Sequence, residues 1–340
     1  MWEIEGQNNA VRQLIASLES DRLSHAYLLV GPPKVGKFTT AIKLAQSVNC
    51  LREKYPCESC KQCERIALGQ HPDVRILGFQ HKSDSKEETG IDEIRDIEHQ
   101  AFLQPYEGKC RVFIVDDAER MTVEASNALL KTLEDPPPQC LFILISSAEE
   151  SLLPTIKSRC SKIQFAAVSE HIIQSFLIDR HRVDENHAAK LARLSRGRIG
   201  WAIDTLTNSV ILEQRDTEVT RLLSLMDGTL EQRFYAAADV ANLFYNDRTQ
   251  AKAILDIWME LWRDLLLMKE YSSDFLYNED LRDSLNQQIG RYSSLQITNY
   301  IKCISNTIKS LDANANARLA LEVLMFQMPN QKPQGSSPTV

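Results

Sequence analysis

The segment AYLLV (26–30) runs directly into GPPKVGKFT (31–39) and then into a helical pattern, and that order leaves few folds open. An unbroken apolar run suits a strand buried on both faces, as in a parallel sheet. After the loop, Ala41, Leu44, Ala45 and Val48 fall at i, i+3, i+4 and i+7, one apolar stripe of a helix that packs back on the sheet. Similar buried-strand runs recur at VRIL (74–77), VFIV (112–115), LFILI (141–145) and KIQF (162–165), separated by segments of helical spacing. The expected fold is an α/β module, a parallel sheet of about five strands with flanking helices.

Between the third and fourth runs, MTVEASNALLKTLE has helical spacing, and Pro136, Pro137 and Pro138 must end that helix. Beyond about 168 strand signals vanish. A short helical set around HAAKLARLSRGRIGWAIDTL precedes longer helices through ILDIWMELWRDLLLM and ARLALEVLMFQM. The expected organisation is an α/β domain over 1–166, a small helical domain over 167–208, an all-α domain over 209–329 and a disordered Pro/Ser/Gln-rich tail over 330–340. Trp258, Leu261, Trp262 and Leu265 share one stripe, which spacing alone assigns equally to a bundle core or to a subunit contact.

A hydrophobic fraction of 43% and a formal net charge of -7 describe a globular chain with no general attraction for nucleic acid or anionic membrane. The N-terminus has no basic-then-apolar signal pattern, and charged residues interrupt the most apolar later run, so a cytoplasmic, non-membrane protein is expected.

Gly31 and Gly36 let backbone amides fold around phosphate oxygens, and Lys37 adds a point charge at a helix start. The motif then requires a hydroxyl to hold magnesium, and this chain has Phe38; Thr39 comes one residue late, rotated by about 100°. Asp116, at the end of the VFIV strand, could hold magnesium through water, or with Asp117 could cap the next helix. An Asp at 117 is one methylene shorter than a water-orienting glutamate. The nucleotide set is thus Gly31, Gly36, Lys37, Thr39 and Asp116, in degenerate form: ATP and magnesium binding stays open, hydrolysis is not expected. Cys50, Cys57, Cys60 and Cys63 read C-x6-C-x2-C-x2-C, four thiolates that can close a tetrahedron around a structural Zn2+ within an insertion at 50–63. An iron–sulfur run would place its last cysteine where Ala67 stands. His71, before Pro72, reads as a turn residue and not a ligand.

Taken in order, the glycine loop, the four cysteines, HPDV, SNALLKTLEDPPP and LFILISSAEESLLPTIKSRC closely resemble the clamp-loader ATPase family of bacterial DNA polymerase III, densely over the first half and loosely beyond. The resemblance implies an AAA+ module, a helical lid and a helical collar. It also implies partners: tau/gamma motor subunits and a delta subunit in a five-membered ring that loads the sliding clamp on primer-template DNA. It places at Arg159, in the SRC tripeptide, the arginine that completes a neighbour's ATP site, and it aligns Trp201 of GRIGWA with a nucleotide-sensing arginine, unless Arg198 substitutes. Phe38, Asp117 and Trp201 are three losses to the chain's own chemistry, while the arginine donated to a neighbour is kept. Within that family this is the pattern of the delta-prime stator, which lacks intrinsic ATPase; the alternative is an active tau/gamma-like subunit using Thr39 and Asp117.

Overall fold

Five strands, β1 (Ala26–Val30), β2 (Val74–Leu77), β3 (Arg111–Val115), β4 (Cys140–Ser146) and β5 (Ser161–Gln164), form one sheet in the order β2-β3-β4-β1-β5, with every pair parallel. The computed structural model describes residues 2–52, 56–78, 89–270, 272 and 275–329, so the tail expected over 330–340 lies outside the described residues. Each strand falls within one residue of its apolar run; the central strands β1, β3 and β4 are buried along their whole length, while the edge strands β2 and β5 expose Arg75, Lys162 and Gln164.

Among the described residues the helices are α1 (Asn8–Glu19), α2 (Lys37–Asn49), α3 (Lys61–Ala67), α4 (Ile91–Ala101), α5 (Val123–Glu134), α6 (Pro154–Lys157), α7 (Glu170–His181), α8 (Glu185–Ser195), α9 (Ile199–Thr207), α10 (Val210–Asp227), α11 (Leu230–Asn246), α12 (Arg248–Lys269), α13 (Arg282–Ile289), α14 (Ser294–Asp312) and α15 (Ala317–Phe326). The chain divides into two compact units, one taking in the chain to Ala188 with Ser195–Ala202, the other Ala189–Leu194 with the chain from Ile203.

In the first unit the period of two along each strand sorts side chains to two cores. Tyr27, Leu29, Ile114 and Ile143 face one cluster with Leu14 of α1 and Leu44 of α2. Leu28, Val30, Phe113 and Leu144 face the other with Ile94 of α4 and Leu129 of α5. The chain leaves β1 for the edge strand β2, returns through β3 and β4, and then crosses to β5 on the other side of β1. That reversal is where an α/β sheet opens a crevice beyond its carboxyl ends. Gly31, Asp116 and Ser147 are the residues that follow β1, β3 and β4 there.

The second unit is a helix bundle. Trp258, Leu261, Trp262 and Leu265 are all within 1% of full burial, which settles their stripe on α12 as core. Trp262 packs edge-on to Tyr292 and Tyr300, with ring centroids 5.2 and 4.8 Å away.

Candidate nucleotide site and metal centre

Gly31 leaves β1 with φ 146°, and a Cβ there would lie 2.3 Å from the Phe165 carbonyl oxygen, so the loop can begin only with glycine. Gly36 enters α2 with φ 100° as its N-cap. Between them the loop curls onto its own lysine: Lys37 Nζ donates to the carbonyls of Gly31 and Pro32, the latter at 2.6 Å, and to Ser147 Oγ at 3.1 Å. Burial lowers the Lys37 ammonium to about 8, against the opposing fields of Glu119, Asp116 and Asp117.

The structure therefore brings Gly31, Gly36, Lys37 and Asp116 together, and it adds two residues for which the sequence carried no signal. Ser147 accepts from Lys37, while its own backbone N–H donates to Glu119 Oε1 at 2.9 Å. Asp116 Oδ1 accepts the Asp117 N–H at 3.1 Å, and Asp117, at φ 53°, stands at the N-cap of a short 3-10 turn (Ala118–Arg120) without a side-chain capping bond. Thr39 is exposed, whereas Thr40 is buried and donates to the Gly36 carbonyl at 2.8 Å. Phe38 packs against the apolar cluster under α1 and α2. The position that would carry a magnesium-binding hydroxyl holds a half-buried ring instead.

The GRIGWA stretch meets this loop within the first unit: the Gly200 N–H donates to the Lys34 carbonyl at 2.8 Å, and a Cβ at Gly200 would come 3.0 Å from that oxygen. Beside it the Arg198 guanidinium lies 5.8 Å from the centre of the half-buried Trp201 ring. Arg159 sits in the turn between α6 and β5, where it pairs with Glu134 at 2.5 Å and donates to the Thr155 carbonyl at 3.0 Å.

At the other end of α2, the sulfurs of Cys50, Cys57, Cys60 and Cys63 all lie within 4.8 Å of one another. A tetrahedral zinc with bonds of about 2.3 Å needs sulfurs about 3.8 Å apart, so a small contraction closes the shell. The donor set suits a dication: the Ser59 backbone N–H helps pull Cys57 down to about 6, while burial pushes Cys63 up, so a buried thiol here needs a cation to ionise.

His71 lies outside that cluster. Its Nδ1 accepts the Asp73 N–H at 3.0 Å, which puts its proton on Nε2, against Gln62 Oε1. Asp73, fully buried, accepts the N–H groups of Tyr106, Glu107 and Gly108 at 2.7 to 2.9 Å and faces Arg111 at 3.3 Å. Asn49 Oδ1 accepts from Lys109 and Cys110, and Gln46 reaches the Cys63 carbonyl. These contacts explain why polar residues at the end of α2 are buried although its apolar stripe does not include them.

A family model described as DNA polymerase III, delta subunit, matches residues 6–169. The delta-prime subunit of DNA polymerase III from Bacillus subtilis is 30% identical over 326 residues, which cover 95% of this chain and 97% of that one. The chain belongs to the DNA polymerase III delta-prime family. The related gamma/tau subunit of Mycobacterium bovis is 28% identical over 96% of this chain but only 60% of its own length. A gamma subunit-related protein from Thermotoga maritima, 20% identical, superposes with a TM-score of 0.42 over 93% of this chain and 98% of its own. In this chain the glycine loop holds its own lysine. No helix among the described residues is long and apolar enough to cross a membrane.

Proposed function

We propose that this chain is a cytoplasmic, non-hydrolysing stator of the clamp loader. It assembles with tau/gamma and delta subunits into a five-membered ring and completes a neighbour's ATP site with Arg159. The ring would load the sliding clamp on primer-template DNA, with 1–166 as the AAA+ module, 167–208 as the lid and 209–329 as the collar. Zn2+ on the four cysteines would be structural, since four sulfurs leave no open position for chemistry.

The observation that carries the reading is Phe38. Its half-buried side chain packs against the core cluster where hydrolysis needs a magnesium-binding hydroxyl, so a bound nucleotide would lack the metal geometry for phosphoryl transfer. Asp117 and Trp201 support it as concordant departures. Gly31, Gly36, Lys37, Thr39 and Asp116 would then form a retained scaffold in which ATP binding is dispensable.

Reconstitution with the motor subunits tests this. Arg159→Ala is expected to lower clamp- and DNA-stimulated ATPase about tenfold or more, through the loss of positive charge at a neighbour's transition state. Lys37→Ala is expected to leave that rate near wild type. The opposite pattern, or Lys37-dependent hydrolysis by the isolated chain, supports the tau/gamma-like alternative instead.

A further inference from the structure

Glu134 is the last residue of α5, where a carboxylate is out of place. The helix carbonyls already present partial negative charge at that end, and a glutamate there adds to it. The neighbourhood is also rigid. Leu129 and Leu133 anchor the last turns of α5 in the core, and Pro136 to Pro138 forbid its extension. Leu152 and Ile156 anchor the segment that carries Arg159 in the same core.

Across this fixed gap the Arg159 guanidinium is held on two sides. One terminal nitrogen pairs with Glu134 Oε1 at 2.5 Å; the other donates to the Thr155 carbonyl at 3.0 Å and reaches Ser158 Oγ at 3.4 Å. Arg159 stays about one-third exposed, so the held side chain remains accessible. A guanidinium carries five N–H donors, and those contacts leave others for a phosphate.

We propose that Glu134 is a positioning residue, which fixes the rotamer of Arg159 before a neighbouring nucleotide arrives. The proposal rests on the reading of Arg159 as an arginine donated in trans. A free arginine would have to be ordered during each encounter, whereas the pair orders it in advance, an advantage that appears in the chemical step. The carboxylate touches no reacting atom. Its contribution is geometric, and its charge makes that contribution sensitive to salt.

The test uses the reconstituted complex with primed DNA and clamp. Glu134→Ala is expected to lower kcat for ATP about three-fold to ten-fold with KM unchanged. Glu134→Gln, which keeps an acceptor at Oε1, should recover part of the loss. Added to Arg159→Ala, the Glu134→Ala change should cost nothing further, because the two act as one unit. An unchanged or higher kcat in Glu134→Ala, alongside a strong Arg159→Ala defect, overturns the positioning role and leaves the donated arginine standing. An equal loss from Glu134→Ala in the Arg159→Ala background shows a general structural effect and also overturns it. A silent Arg159→Ala removes the reading of Arg159 itself.

Discussion

At the scale of single residues, the aspartate of the HPDV motif, Asp73, ties the start of β2 to the segment that leads into β3. Burial alone would raise the Asp73 carboxyl, but three backbone N–H donors and Arg111 overcome it and hold the group below the usual aspartate range. Asp73→Asn would set an amide N–H2 against backbone N–H groups and leave Arg111 without its buried counter-charge. The expected cost is about 3 kcal/mol of unfolding free energy in urea titrations. The sign of the pH dependence follows from the depressed folded value: the stabilisation is complete above the unfolded pKa of 3.8 and is lost as pH falls through the lower folded one. The gap between wild type and variant should therefore be flat at neutral pH and close only in that acid window. Lys37 illustrates the opposite economy, a buried cation lowered to about 8 whose partners are carbonyls of its own loop.

At the scale of elements, the insertion between α2 and β2 has too few apolar residues to form a core of its own, and its buried cluster consists of the cysteines. Zinc should therefore supply the folding energy of this element. Elemental analysis is expected to give one zinc per chain, and chelation should expose four fast-reacting thiols. Burial pushes Cys110, Cys140 and Cys160 up to about 12, so they stay silent in that assay, and the half-buried Cys303 of α14 gives a background common to both arms, so the rise reports the insertion. Chelation should also lower the melting temperature of the sheet-containing unit. What could be read from the sequence follows the same division. Strands, the glycine loop and the C-x2-C spacing are local patterns of a few residues, and all were legible. Glu119, Ser147 and the Gly200–Lys34 bond were not, because they reach the loop from distant segments and each looks like an ordinary polar or turn residue by itself. The Arg159–Glu134 pair was hidden in the same way, although both SRC and LEDPPP stood out as motifs.

At the scale of the whole molecule, the proposed stator role would act through what the chain assembles with, so its outward apolar surface matters as much as its core. The spacing of Trp258 to Leu265 left core and contact open, and burial decided for core. The exposed candidates lie elsewhere in the second unit. On α15, Leu319, Val323 and Phe326 fall at i, i+4 and i+7 and remain 61%, 46% and 68% exposed, while Leu321, Leu324 and Met325 of the same helix are buried. α11 packs on α15 and exposes Leu230, Phe234 and Tyr235 in turn. Such a two-sided helix places one stripe in its own bundle and leaves another for a neighbouring subunit. A Val323→Asp, Phe326→Asp double variant introduces charge only on the outer stripe, so circular dichroism melts should match wild type within about 0.5 kcal/mol. Burying two unpaired carboxylates in a subunit contact is costly, so the variant should fail to co-elute with the motor subunits at concentrations where wild type forms the complex. Intact assembly together with an unchanged melt would exclude this stripe as the contact and move the search to the exposed face of α11.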